Sequence, residues 1–112
     1  MATRQRLTNR RASETFNLEC AGLSYSCTVS RFPDGEIAEI FLNTHKSGSS
    51  ADTAARDSAI CASLGLQFGV PLETIRKALC RDSHGRASGP LGVALDCLAA
   101  DDAARLERPR GA

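Results

Sequence analysis

Long apolar runs are missing from this chain: nowhere in its 112 residues does a hydrophobic stretch approach the roughly twenty residues that a membrane-spanning helix needs. The opening MATRQRLTNRRA is basic, yet no apolar segment of signal-peptide type follows it, so the expected location is cytoplasmic, with no membrane partner. Also missing is any Cys-x-x-Cys pair. Cys20, Cys27, Cys61, Cys80 and Cys97 are odd in number and widely spaced, which excludes a zinc knuckle or a redox dithiol motif. The expectation is that each is turned inward by strand alternation or helical spacing and packs as a small apolar side chain. No metal and no cofactor is expected.

Acidic side chains are absent from residues 1–12, which hold Arg4, Arg6, Arg10 and Arg11. The formal net charge of the whole chain is only +1, so the remainder is net acidic. Any attraction to nucleic-acid phosphate would have to come from this arm. Equally, short polar chain ends are commonly solvated and poorly ordered.

What is present is ordinary globular composition, 42% hydrophobic and 24% charged, which argues against a disordered chain. The length suits one domain with a modest core. The expected organisation is a basic flexible arm over 1–12, an α+β domain over 13–100 and a polar tail over 101–112.

Alternation of Phe16, Leu18 and Cys20 with Asn17 and Glu19 predicts a first strand over 14–20, followed by a turn at Ala21-Gly22. Leu23, Tyr25, Cys27 and Val29 alternate with Ser24, Ser26, Thr28 and Ser30, giving a second strand whose outer face is almost all hydroxyl. Pro33-Asp34-Gly35 carries hairpin-turn chemistry. A third strand over 36–43 is nearly continuously apolar, with only Glu39 plainly outward, and is expected to be the central or more buried one.

A long helix over 51–68 follows, rich in small residues. Ile60, Cys61, Leu64 and Phe68 are expected to face the sheet, while Asp52, Arg56 and Asp57 solvate its first turns. Pro71, Glu73, Leu72, Ile75 and Leu79 define a second helix ending near Arg81. Pro90 starts a third whose Leu91, Ala94, Leu95 and Leu98 form one stripe, with Asp101 to Ala112 frayed. The fold class expected is therefore α+β: a three-stranded antiparallel β-meander followed by three helices packed on one face.

The loop from Asn43 to Ser50 joins a buried strand to a helix start, where unpaired N–H groups favour an anion. His45, Lys46, Gly48, Ser49 and Ser50 are the candidate anion- or ligand-binding residues. The spacing is not that of a phosphate-cradling Gly-x4-Gly-Lys-Ser/Thr loop. The simpler alternative is that Ser49 or Ser50 caps the helix and Lys46 is solvated. His84, in the polar loop Asp82-Ser83-His84-Gly85-Arg86, has no evident catalytic partner in the sequence, so no residue is assigned a catalytic role.

The string AEIFLNTHKSGSSADTAARDSAICASLGLQFGVPLETIRKAL resembles the TSCPD domain, a module near the C-terminus of adenosylcobalamin-dependent ribonucleotide reductases that also occurs as short free-standing bacterial proteins. The resemblance runs from about Arg11, through Glu14-Thr15-Phe16 and Arg31-Phe32-Pro33-Asp34-Gly35, to Pro90-Leu91-Gly92. Its strongest markers are Glu39-Ile40-Phe41, Lys46 with Gly48-Ser49, and Gln67-Phe68-Gly69-Val70-Pro71. It implies an association with deoxyribonucleotide synthesis.

Such reductases work through a thiyl radical and a cysteine pair inside a large barrel, and are re-reduced by a cysteine pair near the chain end. Here there is no barrel, and Cys97, the last cysteine, stands alone. The expectation is a free-standing, non-catalytic accessory or regulatory module. Its expected partner is a ribonucleotide reductase or another protein, met through the hydroxyl-rich sheet face or the lysine loop, with a homodimer as a further expectation. The alternative is a small nucleic-acid- or nucleotide-binding domain using the arginine arm and the Lys46 loop.

Overall fold

The structure, a computed structural model, describes residues 3–107. Three strands, β1 (Ser13–Cys20), β2 (Leu23–Arg31) and β3 (Ile37–Thr44), are followed by helices α1 (Ser50–Gln67), α2 (Leu72–Ala78) and α3 (Pro90–Glu107). The strands form one antiparallel meander in the order β1-β2-β3. This is the expected α+β arrangement. The central strand, however, is β2, and β3 lies at an edge.

The two hairpins follow from their turn residues. Cys20 pairs with Leu23 across a two-residue turn in which Ala21 and Gly22 both have positive φ, 51° and 79°, the conformation whose twist matches flanking strands. Glycine adopts it freely, but alanine there carries a strain of about 1 kcal/mol. Ala21→Asn is expected to raise unfolding free energy by about 0.5–1 kcal/mol in urea titration. At the second turn Gly35 (φ 93°) donates its N–H to the Phe32 carbonyl at 2.9 Å, and Asp34 Oδ1 accepts from the Glu36 N–H at 2.9 Å.

Register places Phe16, Leu18, Tyr25, Cys27, Val29, Ile40 and Leu42 on one face. Over it lie Leu91, Ala94, Leu95 and Leu98 of α3, the expected stripe, all buried. The opposite face carries Thr15 beside Thr28, hydrogen-bonded at 2.8 Å, and Asn17 beside Ser26 at 3.3 Å. The hydroxyl-rich outer surface is as expected.

Helix α1 corrects the sequence reading. Its buried side consists of Asp52, Ala55, Ala59, Ala62, Ser63, Leu66 and Gln67, whereas Ile60, Cys61, Leu64 and Phe68 are exposed. The reason lies in what the helix covers. It packs chiefly against β3, and an edge strand presents unpaired N–H and C=O groups that require partners. Ser63 Oγ accepts the Ile40 N–H at 2.9 Å and donates to the Ile40 carbonyl at 3.0 Å. Gln67 Nε2 donates to the Ala38 carbonyl at 3.1 Å, and Asp52 Oδ1 accepts the Thr44 N–H at 3.0 Å. The alanines between them keep that side of the helix slim enough for these short polar groups to reach the strand.

Only Cys27 among the five cysteines is buried; Cys20 is half-buried, and Cys61, Cys80 and Cys97 are exposed. The inward expectation thus fails for three of them, in the case of Cys61 because α1 is rotated relative to the expected face. Burial pushes the Cys27 thiol up to about 12, which keeps it protonated and unreactive.

Helix α2 is shorter than expected, and Arg81 instead forms an isolated bridge with Ala87. Helix α3 is longer, continuing through 101–107, where a frayed tail was expected. Alanines at 99, 100, 103 and 104 favour the helix, and Arg31 Nη2 reaches Asp102 Oδ1 at 3.2 Å. Residues 108–112 of the expected tail lie outside the described residues, as do the first two of the arm.

A charged cluster joins α2 and the 81–87 loop to α3: Arg81 and Arg76 contact Asp96 at 2.7 and 2.9 Å, and Arg76 also pairs with Glu73. The Arg81 guanidinium, with Arg76, holds the Asp96 carboxyl down at about 2, below the usual value of about 3.9. A carboxyl depressed in the folded state adds stability above its unfolded value, and that stability is lost as pH falls from about 4 towards 2. Because Asp96 is one-third exposed, the contribution is discounted to about 1–2 kcal/mol. Asp96→Asn should lower neutral-pH stability by about that amount and flatten the acid limb of a urea-midpoint-versus-pH curve.

Candidate functional site

The loop after β3 is organised by its own polar groups. Ser49 is the N-cap of α1, its Oγ accepting the Asp52 N–H at 3.2 Å, as the capping alternative expected. Asp52 turns back so that Oδ1 takes the Thr44 N–H and Oδ2 takes the Gly48 N–H at 3.2 Å, with Arg56 Nε at 3.0 Å. The Thr44 amide, aided by the Gly48 amide and Arg56, holds the Asp52 carboxyl below the ordinary carboxylate range against the opposing effect of its burial. Lys46 N–H bonds Thr44 Oγ1 at 3.1 Å, and Gly48 adopts a positive φ of 80°.

An internal carboxylate therefore takes up amide groups at the head of the helix. Of the candidate residues, Ser49 and Gly48 serve this internal arrangement. His45, Lys46 and Ser50 are exposed. His45 lies beside Asn17, Glu19 and Ser24 at the end of the hydroxyl-rich face, and His84 is exposed in the 81–87 loop.

The arginine arm is strapped to the domain at both ends. Gln5 N–H bonds the Gln67 carbonyl and Arg4 Nε bonds Gln67 Oε1, both at 2.7 Å. Arg11 Nη2 pairs with Glu39 Oε1 at 2.8 Å. Arg6 and Arg10 are exposed.

Sequence reasoning missed two surfaces. The first is apolar: Phe41, Ile60, Leu64, Phe68 and Val70 are each 39–52% exposed. Ile60, Leu64 and Phe68 recur every fourth residue along the outer side of α1. Phe41 sits with Ile60 at the margin of the sheet, and Val70 folds back so that its N–H bonds the Gly65 carbonyl at 2.9 Å. The pattern Asp52, Ala55, Ala59, Ser63, Gln67 was the available signal, because small and polar residues at helical spacing mark a face that approaches backbone. The second surface is a cleft bordered by Tyr25 and the starts of α1 and α3.

The family model described as the TSCPD domain matches residues 3–100. Curated relatives are vitamin B12-dependent ribonucleotide reductases: 41% identity over 70 residues with that of Agrobacterium fabrum, 34% over 73 with that of Bradyrhizobium diazoefficiens, and 37% over 71 with that of Streptantibioticus cattleyicolor. These alignments cover 62%, 65% and 63% of this chain but only 6%, 6% and 12% of the respective relatives. The chain thus spans a small part of each relative's length. No solved structure matches it. With nearly its whole folded body matched by one family model, the chain belongs to the TSCPD domain family.

Proposed function

We propose that this TSCPD domain is a non-catalytic accessory module that docks on a ribonucleotide reductase, meeting it through the apolar stripe of Phe41, Ile60, Leu64 and Phe68. The observation that carries the reading is the stripe itself. Three large apolar side chains at successive turns of one helix side, Ile60, Leu64 and Phe68, with Phe41 beside Ile60, exceed the scattered exposure of ordinary surfaces and mark an interaction site. The fold does not require them there, since α1 already packs on β3 through its opposite side. In the relatives the matching segment is a small part of a reductase chain, which supplies the chemistry of the expected partner. The hydroxyl-rich face adjoins the stripe at Phe41, which pairs with Thr28, and would form part of its polar rim.

The alternative reading, nucleic-acid binding through the arm, draws less support because Arg4 and Arg11 already bond Gln67 and Glu39. Affinity purification of the tagged domain from its own cell extract, with mass spectrometry of the captured chains, tests the proposal. A ribonucleotide reductase should be recovered by the native domain and lost with Leu64→Asp. Capture unaffected by that substitution, or no reductase at all, would count against it. Strongly salt-dependent retention on DNA would favour the alternative.

A further inference from the structure

Between the first turns of α1, the end of α2 and the start of α3 lies a cleft of about 360 Å³, within the size range of small-molecule sites. Its walls are mostly apolar, built from Ala51, Ala54, Ala55, Leu79 and Leu91, and among the described residues no Lys, Arg, Asp, Glu or His lines it. Tyr25, on the core face of β2, also borders it and is only 4% exposed.

The Tyr25 hydroxyl has no hydrogen-bond partner among the described residues. That hydroxyl is not a sealed-off polar atom, because among the described residues the buried side-chain polar atom without a hydrogen-bond partner is Arg31 Nε, so the tyrosine keeps an accessible polar tip for an outside partner. A tyrosine retained beside an otherwise apolar cleft supplies one polar handle in a space that rewards apolar contact.

We propose that this cleft binds a compact, neutral, largely apolar small molecule whose one carbonyl or hydroxyl group hydrogen-bonds the Tyr25 hydroxyl. The absence of charged groups in the lining selects for a neutral ligand, because a charge placed there would lose its hydration without a counter-ion. The alanine walls suit a ring or a branched hydrocarbon body. Ser58 already donates its hydroxyl to the Ala55 carbonyl at 2.9 Å, which leaves the Tyr25 hydroxyl as the stronger side-chain donor beside the weakly donating Cys80 thiol. The site lies apart from the apolar stripe and does not depend on the docking proposal.

The test uses the full chain with acetophenone as probe and ethylbenzene as its carbonyl-free counterpart. Tyr25 is the sole tyrosine and there is no tryptophan, so intrinsic fluorescence reports on this site alone, and amide NMR of Ala51, Ala54 and Ala55 maps the contact. Acetophenone should give a saturable change in both signals and bind at least roughly fivefold more tightly than ethylbenzene, the discrimination expected of one buried hydrogen bond. By NMR, Tyr25→Phe should fold normally and erase that preference, while Ala54→Leu, at an exposed helical position, should fill the cleft and abolish binding of both probes.

Three results would overturn the proposal. They are equal affinity for the two probes, retention of the preference in Tyr25→Phe, and shifts at these alanines that track protein concentration without probe. The last would mean that a second copy occupies the cleft.

Discussion

Ser63→Ala is expected to lower unfolding free energy by about 2–3 kcal/mol, because it strands two buried backbone groups at once. Ser63 Oγ is both acceptor for the Ile40 N–H and donor to the Ile40 carbonyl, and Ile40 is fully buried. No other side chain is hydrogen-bonded to those two groups among the described residues. For a domain this size, whose total stability is about 5–15 kcal/mol, that loss corresponds to a fall in Tm of roughly 8–20 °C. Ser63→Thr, which keeps the hydroxyl, should lose much less. Leu64→Ala, one position along on the outer side, should stay within about 0.5 kcal/mol of the native chain. Urea denaturation of the three variants decides the matter: equal effects at 63 and 64 would mean that α1 does not close the β3 edge as described.

The second large effect concerns binding. Ile60→Asp with Leu64→Asp places two charges in the middle of the apolar stripe, where docking would have to desolvate them unpaired. Affinity for the reductase should fall by at least roughly a hundredfold, because each buried unpaired charge costs several kcal/mol. Thermal stability should hardly move, since both side chains are half exposed in the free domain. Unchanged Tm with lost binding separates a docking surface from a misplaced core, whereas a large drop in Tm would show that these residues belong to the core after all.

Much of the fold was legible in the sequence because its signals were local. Strand alternation from Phe16 to Val29, the Ala21-Gly22 and Asp34-Gly35 turns and the Leu91 to Leu98 stripe each depend on neighbours within a few residues, and each is found as expected. The rotation of α1 was not legible, because amphipathic reasoning assumes that bulky residues face inward. Here the partner is a strand edge, and Ser63, Gln67 and Asp52 are buried to serve its amide and carbonyl groups. The length of α3 depends in part on Arg31, seventy-one positions from its partner Asp102, and such a tether leaves no periodic trace. At the Lys46 loop the Ser49 cap was readable, but the return of Asp52 onto the Thr44 and Gly48 amides was hidden, since an acid in a first helical turn usually faces solvent.

The most direct measurement is calorimetric titration of the purified domain into the purified vitamin B12-dependent ribonucleotide reductase of the same organism, in the native form and with Ile60→Asp and Leu64→Asp. A saturable complex in the roughly micromolar range, about −8 kcal/mol, that disappears with the double substitution is the expected outcome. Absence of binding by the native domain at about 100 μM, or a complex indifferent to the two aspartates, would contradict the assignment of the stripe as the docking surface.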